Sequence, residues 1–454
     1  MKKNLLIVIS LFIMMCVFTG FYSKSANTLQ QSLKSTLVPV SEIELPSKTT
    51  ISESPNTLEQ SLKSTLVPVS QMELPSKTII GFGEATHGNK QFTTLKSDIF
   101  KHLVEKQGYR VFAIEGDFGG GQKVNEYILG GNGTAQDAAK AIGFTIYNTQ
   151  EMATLLSWMR SYNEHREAKD KIHFYGFDMQ RYDHNKNGLF SYLKKVDPTL
   201  ASKYELALTN LNDKTVYDQK QANVKEGLAH SKGLMERMKE NKSVYTAKSS
   251  EKEYELALAF AEAIKQNATL HGTNANYNNT RDQYMAEKVK WILSFEKKYY
   301  GRENIFITGH NGHIEKTSTS LGMTTCMGEY LAKTLGDQYY AIGSEFYESS
   351  FIATDASTNE RKEFYIKNNG NDRLAVLFAL TNMKDGFLDF AKVRHDKNFI
   401  EYLHKAQSIS AIGAVFSGLY GKIEKMYTLK MIPAKAFDAI IFVRTATPSV
   451  MITD

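Results

Sequence analysis

The stretch Thr78–Gln91, TIIGFGEATHGNKQ, constrains this chain most. Ile79, Ile80 and Phe82 make a short apolar run that predicts a buried strand. Gly81 and Gly83 suit a tight turn at its end. Glu84 and His87 follow three residues apart, then Gly88, and Asn89 suits the cap of a following helix. A carboxylate and an imidazole therefore stand where a strand stops and a helix begins. In open α/β sheets that carboxyl end is where ligands bind. Imidazole exchanges protons near neutral pH, which suits general acid–base work. A hydrogen-bonded loop histidine beside a capping carboxylate would read the same way, so the rest of the chain decides.

The same pattern recurs. RVFAIEG at 110–116 is an apolar strand ending in Glu115, with Asp117 behind it. IHFYGFD at 172–178 ends in Asp178, followed by Gln180. NIFIT at 304–308 runs into Gly309-His310-Asn311-Gly312-His313. Tyr339–Phe346 and Ala439–Val443 predict further strands. Between them lie helical patterns: Phe92, Leu95, Ile99, Phe100, Leu103 and Val104 after His87, and the segment Thr149–Arg166. Gly119–Gly121 reads as a turn before a helix carrying Val124, Tyr127 and Ile128. The alternation predicts an α/β fold over 78–454, with a central, mostly parallel sheet flanked by helices. Residues from about 183 to 300 are rich in Lys, Glu, Ala and Leu and poor in strand formers. They are expected to form a helical insertion that caps the sheet.

The N-terminal end reads differently. Residues 1–26 have a positive start at Lys2 and Lys3, an apolar run from Leu5 to about Phe21, and small residues Ser23, Ser25 and Ala26. This predicts a cleaved secretory signal and a secreted or extracytoplasmic protein that meets the membrane only through that segment. Residues 27–49 and 56–78 are near copies, with 20 of 23 positions identical. The second copy runs into the strand at Thr78 and reads as the native lead-in. The first reads as a loosely held spare, so 27–77 is expected to be partly disordered. The formal charge is +6. Cleavage would leave about +3, too little to argue for a nucleic-acid partner. Cys326 would then be the sole cysteine, so the fold would rest on its core and not on disulfides.

Four strand exits thus present Glu84 with His87, Glu115, Asp178, and His310 with His313. A parallel sheet places such exits on one edge, where they make an active site. No G-x-S-x-G elbow occurs, and Cys326 has no charged or imidazole neighbour in sequence. Water is then the nucleophile, activated by a histidine that a carboxylate holds. Other histidines could stabilise an oxyanion or protonate a leaving alcohol. A divalent metal such as zinc, held by Glu84, His87, His310 and His313, would serve the same end. A third reading is a non-catalytic cell-envelope binding protein using the same cleft. Lys96 falls inside the apolar stripe of its helix, where a lysine needs a partner or an opening.

With these motifs in view the chain resembles the erythromycin esterase family. GEATHG at 83–88, AIEGD at 113–117, GFDMQ at 176–180, RDQYMAE at 281–287, GHNGH at 309–313 and MGEYL at 327–331 carry the resemblance, which spans about residues 65–450. It implies hydrolysis of a small-molecule ester, in the best-known members the lactone of a macrolide antibiotic. By that resemblance His87 is the general base. Glu115 positions the water or stabilises charge, Glu84 supports His87, and His310 and His313 line the site. Lys96, Asp178 and Arg281 are assigned to substrate binding. The resemblance leaves metal dependence open. Two positions depart from the pattern: Lys96 stands where an arginine is expected, and Lys288 where an asparagine is. A lysine supplies charge without a bidentate fork.

Overall fold

The computed structural model describes residues 55–273, 276–318, 325–368 and 374–453. The signal segment and the first copy of the repeat lie outside them. Among the described residues no helix is long and apolar enough to cross a membrane.

Eleven strands are described: β1 (Ile79–Glu84), β2 (Val111–Asp117), β3 (His173–Asp178), β4 (Ile305–His310), β5 (Tyr339–Asp355), β6 (Arg361–Lys367), β7 (Asp385–Asp389), β8 (Gln407–Ser410), β9 (Val415–Phe416), β10 (Thr428–Met431) and β11 (Ala439–Ala446). The main sheet runs β3-β2-β4-β1-β5-β11-β7, with β6 and β9 on the long strand β5. From β3 to β11 every neighbouring pair is parallel, and β7 closes the edge antiparallel. The fold is therefore α/β with a mixed, mostly parallel sheet. β8 and β10 pair separately.

The central strands are buried on both faces, as parallel strands covered by helices must be. Alternate residues feed two cores. Ile79, Ala113, Ile305 and Ile307 enter one, together with the helices at 183–300. Ile80, Phe112, Ile114 and Phe306 enter the other, against Phe92, Phe100 and Leu103 of the helix Lys90–Gln107. That helix starts as its sequence predicts, with Asn89 accepting from the Phe92 N–H at 2.9 Å. The second copy of the repeat is tied down as well. Its helix Pro55–Thr65 buries Leu58 and Leu62, and Val67 exchanges backbone hydrogen bonds with Phe387 of β7.

Order in the sheet decides where the chemistry sits. The chain goes outward from β1 to β2 and β3, and then β4 returns to fill the gap between β2 and β1. Glu84 pairs in register with His310, the last residues of adjacent strands. The helices between β3 and β4 run from Asp183–Val196 to Tyr277–Tyr300, and the last of these packs against β3.

Two expectations about glycine change. Gly81 and Gly83 lie within β1 and do not form a turn after it. A Cβ on Gly83 would fall 2.6 Å from Asn311 Oδ1, so the demand there is space. Gly119–Gly121 is the first turn of the helix Phe118–Ile128, not a turn ahead of it. A Cβ on Gly121 would lie 2.2 Å from the Gly176 nitrogen in β3. Helix backbone and strand backbone meet there, and only hydrogen fits. Gly121→Ala should cost about 3 kcal/mol of stability, measured by urea unfolding.

Candidate active site

Glu84 ends β1 and is fully engaged. Its Oε1 accepts from His87 Nδ1 at 2.8 Å, and its Oε2 pairs with Lys96 Nζ at 2.8 Å. Glu84 and Lys96 are each 1% exposed. Burial alone would raise the Glu84 pKa, but the Lys96 ammonium and the bond from His87 outweigh it and hold the carboxyl below its ordinary range. An ionised Glu84 fixes the His87 tautomer. With Nδ1 donating to Glu84, Nε2 is the nitrogen left to exchange a proton, and it has no hydrogen-bond partner among the described residues. Lys96 also lies 5.5 Å from the Tyr147 ring, whose hydroxyl donates to the Glu115 carbonyl at 2.9 Å.

A second cluster centres on Arg281, from the helix Tyr277–Tyr300. Its Nη2 donates to Glu115 Oε1 at 2.7 Å and to Asp178 Oδ2 at 2.6 Å, so one guanidinium ties the ends of β2 and β3 together. Glu115 Oε2 accepts the His310 backbone N–H at 2.9 Å, which adds β4. His313 Nδ1 lies 2.7 Å from Asp282 Oδ1. Its Nε2 faces Glu115 Oε1 at 3.3 Å, to which an imidazolium donates, and lies 3.1 Å from Arg281 Nη1. Burial disfavours the imidazolium, but Asp282 and Glu115 together overcome that and raise the His313 pKa to about 10. Glu115 goes the other way. Burial pushes it up, but His313 and Arg281 hold it well below the ordinary carboxylate range.

His310 bridges the two clusters. Its ring centroid is 5.1 Å from that of His87 and 6.5 Å from that of His313. Burial and the neighbouring His87 lower its pKa to about 3, so the ring is neutral. The Gly312 N–H donates to Nδ1 at 3.4 Å, which leaves the proton on Nε2. That Nε2 is buried and has no partner among the described residues. The row thus offers a base on His87, a neutral donor on His310 and a cation on His313.

These shifts set a pH dependence. His313, raised from 6.5 to about 10, stabilises the fold fully below pH 6.5. That contribution is lost as pH rises towards about 10. His310, lowered from 6.5 to about 3, loses its contribution as pH falls across that window. Glu84 and Glu115 contribute above 4.5 and lose it as pH falls through their lowered values. His313→Gln should flatten the alkaline loss of unfolding free energy, read from urea titrations between pH 6.5 and 10.

The structure brings Glu84, His87, Glu115, Asp178, Arg281, His310 and His313 to one sheet edge. Lys96 and Asp178, read from sequence as substrate contacts, are 1% and 0% exposed and pair with Glu84 and Arg281. Asp282 and Tyr147 were not singled out in the sequence. Asp282 lies within RDQYMAE beside Arg281, which is a usable signal, whereas nothing around Tyr147 marks it. Asn311, between the two histidines, is an anchor: it bonds Ser344 at both its carbonyl oxygen and its N–H. Beyond Asp178 lies an aromatic group. Tyr277 donates to Gln180, which donates to Asp178, and Arg181 lies 5.1 Å from Phe144 and 5.3 Å from the half-exposed Tyr217.

The metal set does not fit as placed. Both Glu84 oxygens are taken, by His87 and Lys96. Among the described residues no three His, Cys, Asp or Glu side chains are grouped to hold an ion. Cys326 is buried, donates to the Glu315 carbonyl at 3.0 Å, and has its thiol pushed up to about 12 by burial.

The mostly parallel α/β sheet has counterparts among solved structures. The chain belongs to the erythromycin esterase family, whose model matches residues 104–446. It is 25% identical over 390 residues to an erythromycin esterase type II from Escherichia coli, covering 76% of this chain and 89% of that protein. Its fold is similar to a Bacillus cereus protein, with a TM-score of 0.76, 22% identity and coverage of 88% of this chain and all of that one. It is also similar to a mutant erythromycin esterase in its open conformation, with a TM-score of 0.61, 17% identity and coverage of 83% and 93%.

Proposed function

We propose that this protein hydrolyses a carboxylic ester by direct attack of water, with His87 as the general base. The observation that carries this reading is the Lys96–Glu84–His87 chain, two contacts of 2.8 Å that leave one imidazole nitrogen free. His87 Nε2 takes a proton from water as the oxygen bonds to the ester carbon. The carbonyl oxygen becomes an oxyanion and accepts from the unpartnered His310 Nε2–H, beside the charges of Arg281 and His313. When the carbon–oxygen bond of the ester breaks, His87 returns its proton to the leaving alcohol. Acid and alcohol result, and His87 is neutral again.

Family membership supports a small-molecule ester as substrate. The aromatic group at Phe144, Tyr217 and Tyr277 suits the bulky, partly apolar body of a macrolactone. In this reading the helices at 183–300 act as the cap that carries part of that group. The test incubates purified protein with a panel of macrolides and simple esters. A product heavier by one water, absent with His87→Asn, supports the reading, and no hydrolysis across the panel sinks it. The composition of residues 1–26 supports export, with cleavage near Ser23–Ala26. N-terminal sequencing of protein recovered outside the cytoplasm tests it, and an intact Met1 there counts against cleavage.

A further inference from the structure

Lys288 lies seven residues after Arg281 on the same helix. It therefore continues the same face, about 10 Å further along. Its side chain is buried, at 4% exposure, yet among the described residues no carboxylate stands within ion-pairing distance. Its contacts are a long one of 3.4 Å to the Ala259 carbonyl and two rings, Phe118 with its centroid at 4.0 Å and Trp291 at 5.2 Å. A buried ammonium without a counter-ion costs stability, and the hydrolytic scheme makes no use of this one.

The lysine lines a cavity of about 330 Å³ among the helices at 221–300, a size that takes a small organic molecule. Met235, Leu258 and Trp291 supply its apolar wall. Gln266, 3% exposed, also lines it and has a buried Oε1 with no partner among the described residues. Three glutamates border the cavity, but two are already neutralised. Glu255 pairs with Lys298 and Glu262 with Lys265, each at 2.6 Å. With those two partners counted, Lys239, Lys265, Lys288 and Lys298 outnumber Glu255, Glu262 and Glu287 by one around the cavity.

We propose that this cavity is a second small-molecule site, distinct from the histidine cluster. It takes an apolar or aromatic molecule bearing one carboxylate, with Lys288 as its counter-ion. The carboxylate supplies the partner that the ammonium lacks, and the hydrocarbon body packs on Trp291. Burial lowers the Lys288 pKa to about 8 against the opposing pull of Glu262, Asp117 and Glu287, so a bound carboxylate returns the amine to full charge and draws in protons.

Calorimetric titration of the full-length protein with 3-phenylpropionate, and with the uncharged 3-phenylpropan-1-ol, tests this. The acid should bind at least tenfold more tightly than the alcohol, with proton uptake near pH 8. Lys288→Met should erase that preference and raise Tm, because it removes a desolvated charge at nearly constant volume. His87→Asn should keep it, since the sites are separate. Absent or equal binding of the two probes to wild-type protein overturns the proposal. So does an undiminished preference in Lys288→Met, or its loss in His87→Asn.

Discussion

His87→Asn lowers kcat for ester hydrolysis by about a thousandfold, the range for loss of a positioned general base. Asparagine can still bond Glu84, and the Glu84–Lys96 pair survives, so the fold should hold and KM should change little. That split separates loss of a base from loss of binding. Circular dichroism and Tm check the fold, and steady-state kinetics check the split. A matched rise in KM with an unchanged kcat would make His87 a binding residue.

Lys96→Met carries the largest expected loss of stability. It removes the ammonium and strands the buried Glu84 carboxylate, at a cost of about 3 kcal/mol or more. Two effects compete in any such pair: Coulomb attraction and the penalty for taking both charges out of water. The pair itself adds little net stability, but half of it is expensive. Adding Glu84→Gln to Lys96→Met should therefore recover most of the lost stability, without recovering activity, because His87 no longer has an anion to orient it. Urea unfolding of both single variants and the double variant closes the cycle. Strictly additive losses would mean that the 2.8 Å contact carries no coupling.

The strands that hold the site were legible because each is an apolar run ended by an acid or an imidazole, and a run buried on both faces leaves no other signal. β1 to β4 follow from that, and with them the convergence of Glu84, Glu115, Asp178 and His310. The strands β6 to β10 were not legible. β6 is largely exposed and charged, RKEFYIK, and β7 has only five residues, so neither carries a period. Arg281 was visible as part of a motif, but its role was not. It joins carboxylates 103 and 166 residues away in sequence, and only the returning strand β4 and the helix before it bring them together. Lys96 was noticed because charge on an apolar stripe demands a reason, and the reason is Glu84. The glycines misled for a plain cause: sequence marks where glycine is needed, but does not tell conformational freedom from lack of space.

One measurement bears most directly on the proposed chemistry. Under single-turnover conditions in heavy-oxygen water, with enzyme in excess over ester, the acid product should carry one heavy oxygen from the first turnover. The enzyme should carry none, and His87→Asn should form almost no product. A first-turnover acid without label, or label found on a glutamate or aspartate of the protein, would mean that a side chain and not water attacks the ester, and would contradict the account.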